Sequence, residues 1–90
     1  MTAAATEDRA TRLKRLAMRS MRRGTKEMDI LLMRFADARL AVMDDAALDA
    51  YEALLSENDQ DLYQWVSGQQ PAPAVHAPLV AEIARVAAQG

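Results

Sequence analysis

No cysteine occurs anywhere in the chain. Its absence excludes disulfide frameworks, thiolate zinc sites and cysteine nucleophiles, and fits a reducing compartment. Glycine and proline are scarce, three of each in 90 residues, and no glycine-rich loop able to cradle a phosphate is present. The single histidine, His76, falls in a proline-containing stretch. It reads as a surface or capping residue, because an acid–base group needs positioned partners. No glycine-flanked serine offers a nucleophile elbow. There is no apolar run of the ~20 residues needed to cross a bilayer, and no apolar signal core at the start. Glu7 and Asp8 fit poorly with an acid-poor organelle transit peptide. The expectation is a soluble bacterial cytoplasmic protein that is not an enzyme, holds no metal and does not insert into a membrane.

What is present is an ordinary globular balance, 51% hydrophobic and 27% charged residues, on a chain of single-domain length. The net charge of −2 hides an asymmetry. Up to Lys26 the chain carries eight of its eleven basic residues against two acids; from Glu27 onward it has three basic residues against eleven acids. Such a basic end can meet a polyanion or an acidic protein surface. Alternatively, the two ends attract each other within the fold.

Hydrophobic spacing predicts five short helices in a compact all-α bundle, a single domain over residues 1–90. Residues 1–5 are expected to fray. Thr6 is the expected cap of a first helix, with Glu7 and Asp8 in its first turn and Leu13, Leu16, Ala17 and Met21 on its apolar face. Gly24 ends it, since glycine adopts positive φ without strain. Thr25 then caps a second helix, in which Met28, Leu31, Leu32 and Phe35 recur at i, i+3, i+4, i+7. Asp44 and Asp45 open a third helix with Leu48, Tyr51, Leu54 and Leu55 inward. Asn58 or Asp59 opens a fourth, with Leu62, Trp65 and Val66 inward and Gly68 as its stop. Residues 6–67 form the helical core and 68–77 a proline-punctuated connector. A last helix spans 78–88, with Pro78 in its first turn and Leu79, Ile83 and Val86 as its stripe.

The pairs Asp44–Asp45 and Asp59–Asp61 could suggest a metal, but acids at helix starts are accounted for by capping. Met18, Met21 and Met33 flank the basic end and could form a soft docking surface, with core filling as the plainer reading of each. The arginine-rich first helix could track phosphates, which makes a small nucleic-acid-binding module the alternative function; no aromatic residue is interleaved for base stacking, and the rest of the chain is acidic. The stretch "MRRGTKEMDILL" places Arg22, Arg23, Gly24 and Glu27 at one break between helices. Punctuation explains Gly24 and Glu27 separately but not their clustering with two arginines. A corner of this kind projects side chains from two helices together and reads as an interaction site. Arg19, Asp29 and Met18 adjoin it.

"MRRGTKEMDILLMRF" resembles the Arg-Gly-x-x-Glu signature of the small assembly factors that promote covalent attachment of FAD to succinate dehydrogenase. The resemblance continues in "YEALLSENDQDLYQWV", where Leu54, Leu55, Asp59, Asp61, Leu62, Tyr63 and Trp65 follow the family pattern. It spans about residues 12–67, departing at Gln60, where the family commonly has proline, and at Met28, where leucine is usual. The resemblance implies a five-helix fold and a partner, the flavoprotein subunit of succinate dehydrogenase or of fumarate reductase. FAD would be handled on that partner and not bound here, the free chain being a monomer. It further implies that Arg23, Gly24 and Glu27 face the partner near its flavin.

Overall fold

The computed structural model describes residues 8–21 and 25–89. Five helices carry the fold: α1 (Arg9–Met21), α2 (Lys26–Arg39), α3 (Asp45–Leu55), α4 (Asp59–Val66) and α5 (Ala77–Gln89). A 3-10 turn, Leu40–Val42, continues α2, and no strand occurs among the described residues. The helix α2 is central, packing on α1, α4 and α5, while α3 closes against α1.

Local chemistry sets the boundaries. The Asp8 carboxylate accepts from Thr11 N–H at 2.7 Å, so α1 is capped by Asp8; the cap expected at Thr6 lies outside the described residues. Thr25 accepts from Met28 N–H and Asp44 from Ala47 N–H, each satisfying a helix-start donor that would otherwise lack a partner. Asn58 does the same for Gln60 N–H. After α4 the chain turns at Gly68 with φ of 84°, the one positive φ among the described residues. The stop expected at Gly24 lies outside the described residues. Carbonyl oxygen of Pro73 accepts from both His76 N–H and Ala77 N–H at 2.9 Å, winding the connector into α5.

The core takes Leu16 from α1, Met28, Leu32 and Phe35 from α2, and Leu48, Tyr51, Leu54 and Leu55 from α3. Leu62 of α4 joins it, with Val80, Ile83 and Val86 of α5. Each fully buried leucine contributes about 2 kcal/mol of transfer free energy. Phe35 and Tyr51 meet tilted, ring centroids 5.3 Å apart, an arrangement favoured by the ring quadrupoles.

Three expectations about burial are corrected. Met21, expected inward, is half exposed at the end of α1, and Ser20 is buried instead. Leu13, Leu16, Ala17 and Ser20 form the actual i, i+3, i+4, i+7 stripe. The Ser20 hydroxyl is satisfied inside, donating to the Leu16 carbonyl at 2.8 Å and lying 2.5 Å from the Tyr51 hydroxyl. On α5, Val80 is buried and Leu79 only in part. His76, expected at the surface, is buried. Its ring stacks on Trp65, centroids 5.8 Å apart, and Nε2 lies 2.9 Å from Glu57 Oε2. A carboxylate can only accept, so Nε2 carries the proton.

Candidate functional site

The basic face of α1 is turned onto the acidic face of α3. Arg12 Nη2 donates to Asp49 at 2.5 Å and to Glu52 at 3.2 Å. Arg15 donates to both oxygens of Glu52, at 2.9 and 3.2 Å. Arg19 stands 3.9 Å from the same carboxylate and Arg9 stands 3.7 Å from Asp45. Arg9 also donates to the carbonyls of Ala41 and Met43. Hydrogen bonds from Arg15, and then from Arg12, hold the Glu52 carboxyl below its usual value against the opposing effect of burial. Attraction within the fold therefore accounts for the charge asymmetry of α1, and the feature that suggested nucleic-acid binding is engaged internally.

The candidate residues divide accordingly. Arg22, Arg23 and Gly24 lie outside the described residues. Arg19 faces Glu52, and Met18 is exposed on α1. Among the described residues no hydrogen bond or ion pair joins either to Glu27. Asp29 is half-buried in the first turn of α2. Glu27 is exposed in that turn, where the exposed N–H groups favour a carboxylate.

Around Glu27 the surface is concave. One depression of about 320 Å³ is lined by Thr25, Glu27, Asp59, Gln60, Tyr63 and two further glutamines. A second, of about 350 Å³, is walled by Glu27, Ile30, Leu31, Tyr63, Val66 and the α5 alanines Ala84 and Ala87. Glu27 and Tyr63 belong to both, so they form the seam between a polar and an apolar compartment. Ile30 and Tyr63 are 42% and 38% exposed, substantial for an isoleucine and a tyrosine beside one another on a groove.

Sequence reasoning named Glu27 but missed Ile30, Gln60, Gln64 and Ala87. The available signal was the outward face of α4, where Gln60, Tyr63 and Gln64 follow at i, i+3, i+4. Among the described residues neither lining contains lysine or arginine; Arg22, Arg23 and Gly24, which precede Thr25, lie outside the described residues. Among the described residues no cluster of three His, Asp or Glu side chains could hold a metal, and no helix is long and apolar enough to cross a membrane. The arrangement is suited to binding and supplies no nucleophile with a positioned base.

A family model described as "flavinator of succinate dehydrogenase" matches residues 14–87. Curated relatives carry the name succinate dehydrogenase assembly factor 2, mitochondrial. One from Mycosarcoma maydis is 41% identical over 68 residues, 76% of this chain and 29% of the relative. One from Meyerozyma guilliermondii is 44% identical over 61 residues, 68% and 45% of the two chains. One from Danio rerio is 42% identical over 65 residues, 70% and 41% of the two chains. The chain thus spans less than half the length of each of these relatives. Their mitochondrial names overturn the expectation of a bacterial cytoplasmic protein. The absent cysteine reports on redox chemistry, which does not separate one reducing compartment from another.

Proposed function

The chain belongs to the flavinator of succinate dehydrogenase family, and from that premise we propose that it is an assembly factor, not an enzyme. It binds the flavoprotein subunit of succinate dehydrogenase, or that of fumarate reductase, and promotes covalent attachment of FAD there. Arg23, Gly24 and Glu27 are the residues assigned to the partner contact, with Arg22, Asp29, Arg19 and Met18 around them. The observation that carries the reading is Glu27. It is exposed within the family-like stretch, on the seam of two depressions, and without an ion pair among the described residues.

The covalent chemistry stays in the partner. Linking a flavin to a side chain requires the ring to be held in an electrophilic form, with negative charge on it stabilised by a preorganised site. A small bundle that prefers the closed arrangement of the partner raises the population of that arrangement in proportion to its preference. A preference of about 1.4 kcal/mol is tenfold. In this role Glu27 accepts from a cationic or N–H group of the partner.

The test is deletion of the gene, followed by denaturing electrophoresis and measurement of protein-bound flavin fluorescence in the dehydrogenase subunit. Loss of the fluorescence, restored by the wild-type chain but not by Glu27→Ala or Gly24→Arg, is the expected result. Helical content of both variants should stay near that of the wild type. Undiminished fluorescence in the deletion strain overturns the reading.

A further inference from the structure

Helix α1 has three faces. Leu13, Leu16, Ala17 and Ser20 turn to the core, while Arg9, Arg12, Arg15 and Arg19 turn to α3 and the turn before it. Thr11, Lys14, Met18 and Met21 recur at i, i+3, i+7 and i+10 on the third face, and all four are exposed. Met18 and Met21 are 45% and 50% exposed, and a spacing of three residues makes their thioethers neighbours on the helix surface. The other described methionines stand elsewhere. Met28 is fully buried, Met43 packs against the core, and Met33 is exposed on α2.

A thioether has no proton to lose and needs no base to activate it, so access decides which methionine an oxidant reaches. A hydroperoxide transfers one oxygen to the sulfur. The S–O bond forms as the O–O bond breaks; sulfur loses two electrons, and the peroxide is reduced to water or an alcohol. The sulfoxide is polar and accepts hydrogen bonds. On the solvent face of α1 it stays hydrated and removes no core contact, whereas at Met28 it would enter the core.

We propose that Met18 and Met21 are a reversible oxidation site for hydroperoxides, at which sulfoxide formation leaves the bundle folded and lowers its affinity for the partner. Selective oxidation follows from the exposure of the pair. The effect on affinity rests on the function proposed above, in which Met18 adjoins the partner contact. A flavin-bearing partner also supplies the oxidant, since a reduced flavin gives two electrons to dioxygen and yields hydrogen peroxide. Desolvating a sulfoxide against a surface that receives a thioether leaves its oxygen unpaired, which weakens the contact.

The experiment has two arms on the full chain. In the first, the folded protein is treated with hydrogen peroxide and the sulfoxide content of each methionine is followed by peptide mass spectrometry. Met18 and Met21 should oxidise faster than Met28 by a factor of about ten or more, because Met28 is reached only when the core opens. Far-ultraviolet circular dichroism should be unchanged when the pair is oxidised, and methionine sulfoxide reductase should restore both thioethers. Oxidation of Met28 at a similar rate, or loss of helical content as Met18 and Met21 oxidise, overturns the site.

In the second arm, each protein's binding to the purified flavoprotein subunit is compared with its own binding after oxidation. Affinity should fall about tenfold for the wild type, and by the same factor for Met33→Leu, which lacks the exposed thioether of α2. It should not change on oxidation of the double variant Met18→Leu, Met21→Leu. A fall that persists in the double variant overturns the proposal. Undiminished binding by the oxidised wild type overturns the effect on affinity and leaves the assembly role intact. Failure of the untreated wild type to bind, with no flavinylation defect in the deletion strain, overturns the assembly role and with it the effect on affinity, while selective, reversible oxidation of the α1 pair stands.

Discussion

Arg15 of α1 and Glu52 of α3 meet through two hydrogen bonds, both guanidinium Nη atoms donating to the two carboxylate oxygens at 2.9 and 3.2 Å. Glu52 also accepts from Arg12 and faces Arg19, so one half-exposed carboxylate serves three cations. Replacing it with Glu52→Gln should destabilise the fold by about 1 kcal/mol, the upper range for such surface pairs, and by less at high salt. Urea denaturation at low and high ionic strength measures this.

The same carboxyl predicts an acid response. Its folded value is held below the usual 4.5, so as pH falls the unfolded chain takes up the proton first. The stabilisation is therefore complete above the unfolded value and disappears as pH falls through the folded one. Asp8 acts in the same direction, lowered by the Thr11 side chain and then by its backbone N–H. Between neutral pH and pH of about 3 the wild type should lose more stability than Glu52→Gln. Parallel stability curves for the two proteins would contradict the assignment.

The buried Ser20–Tyr51 contact predicts a coupling. Tyr51→Phe leaves the Ser20 hydroxyl with its bond to Leu16 only and should cost about 1–2 kcal/mol. Ser20→Ala removes one partner of the buried tyrosine hydroxyl and should cost about 1 kcal/mol. Removing both hydroxyls should cost less than the two single changes together. Additive costs in a double-mutant cycle would show that the hydroxyls do not interact.

Elements governed by local chemistry were legible in the sequence. Thr25, Asp44 and Gly68 act as expected because capping and positive φ depend on immediate neighbours. Leu48, Tyr51, Leu54 and Leu55 are all inward because α3 has one clear apolar stripe. The misreadings arise where a residue's fate depends on a distant partner. Ser20 could be placed inside only by knowing that Tyr51 stands opposite, and His76 only by knowing that Glu57 and Trp65 enclose it. The arginines of α1 were compatible with an external polyanion or with acids of the same fold, and only the position of α3 decides for the latter. Glu27 was visible through its motif, but the depressions beside it are lined from three helices and have no contiguous signal.

His76 predicts a conformational effect confined to one end of the bundle. Its ring stacks on Trp65 and is tied to Glu57, joining the connector to α4 and to the turn that follows α3. His76→Ala should cost about 1–3 kcal/mol through the lost packing and the lost bond of a buried polar group. Because Trp65 is the only tryptophan, its fluorescence reports this site alone, and its emission should move to longer wavelength as water reaches the indole. An unchanged spectrum with unchanged stability would mean that the connector holds its place without the histidine.

Glu27 and Glu52 should separate function from folding. Glu52 of α3 is surrounded by arginines, while Glu27 of α2 is exposed between two depressions. Glu27→Gln gives up only the attraction of a first-turn acid for the helix end, about 0.5 kcal/mol. It should nevertheless lower protein-bound flavin in cells that depend on this chain. Glu52→Gln should do the reverse, reducing thermal stability while sustaining flavin attachment at temperatures where it remains folded. Thermal denaturation and in-gel flavin fluorescence of the two variants, measured side by side, resolve the two roles. If Glu52→Gln abolishes flavin attachment while folded and Glu27→Gln leaves it intact, the partner surface lies on the α1–α3 side and not at Glu27.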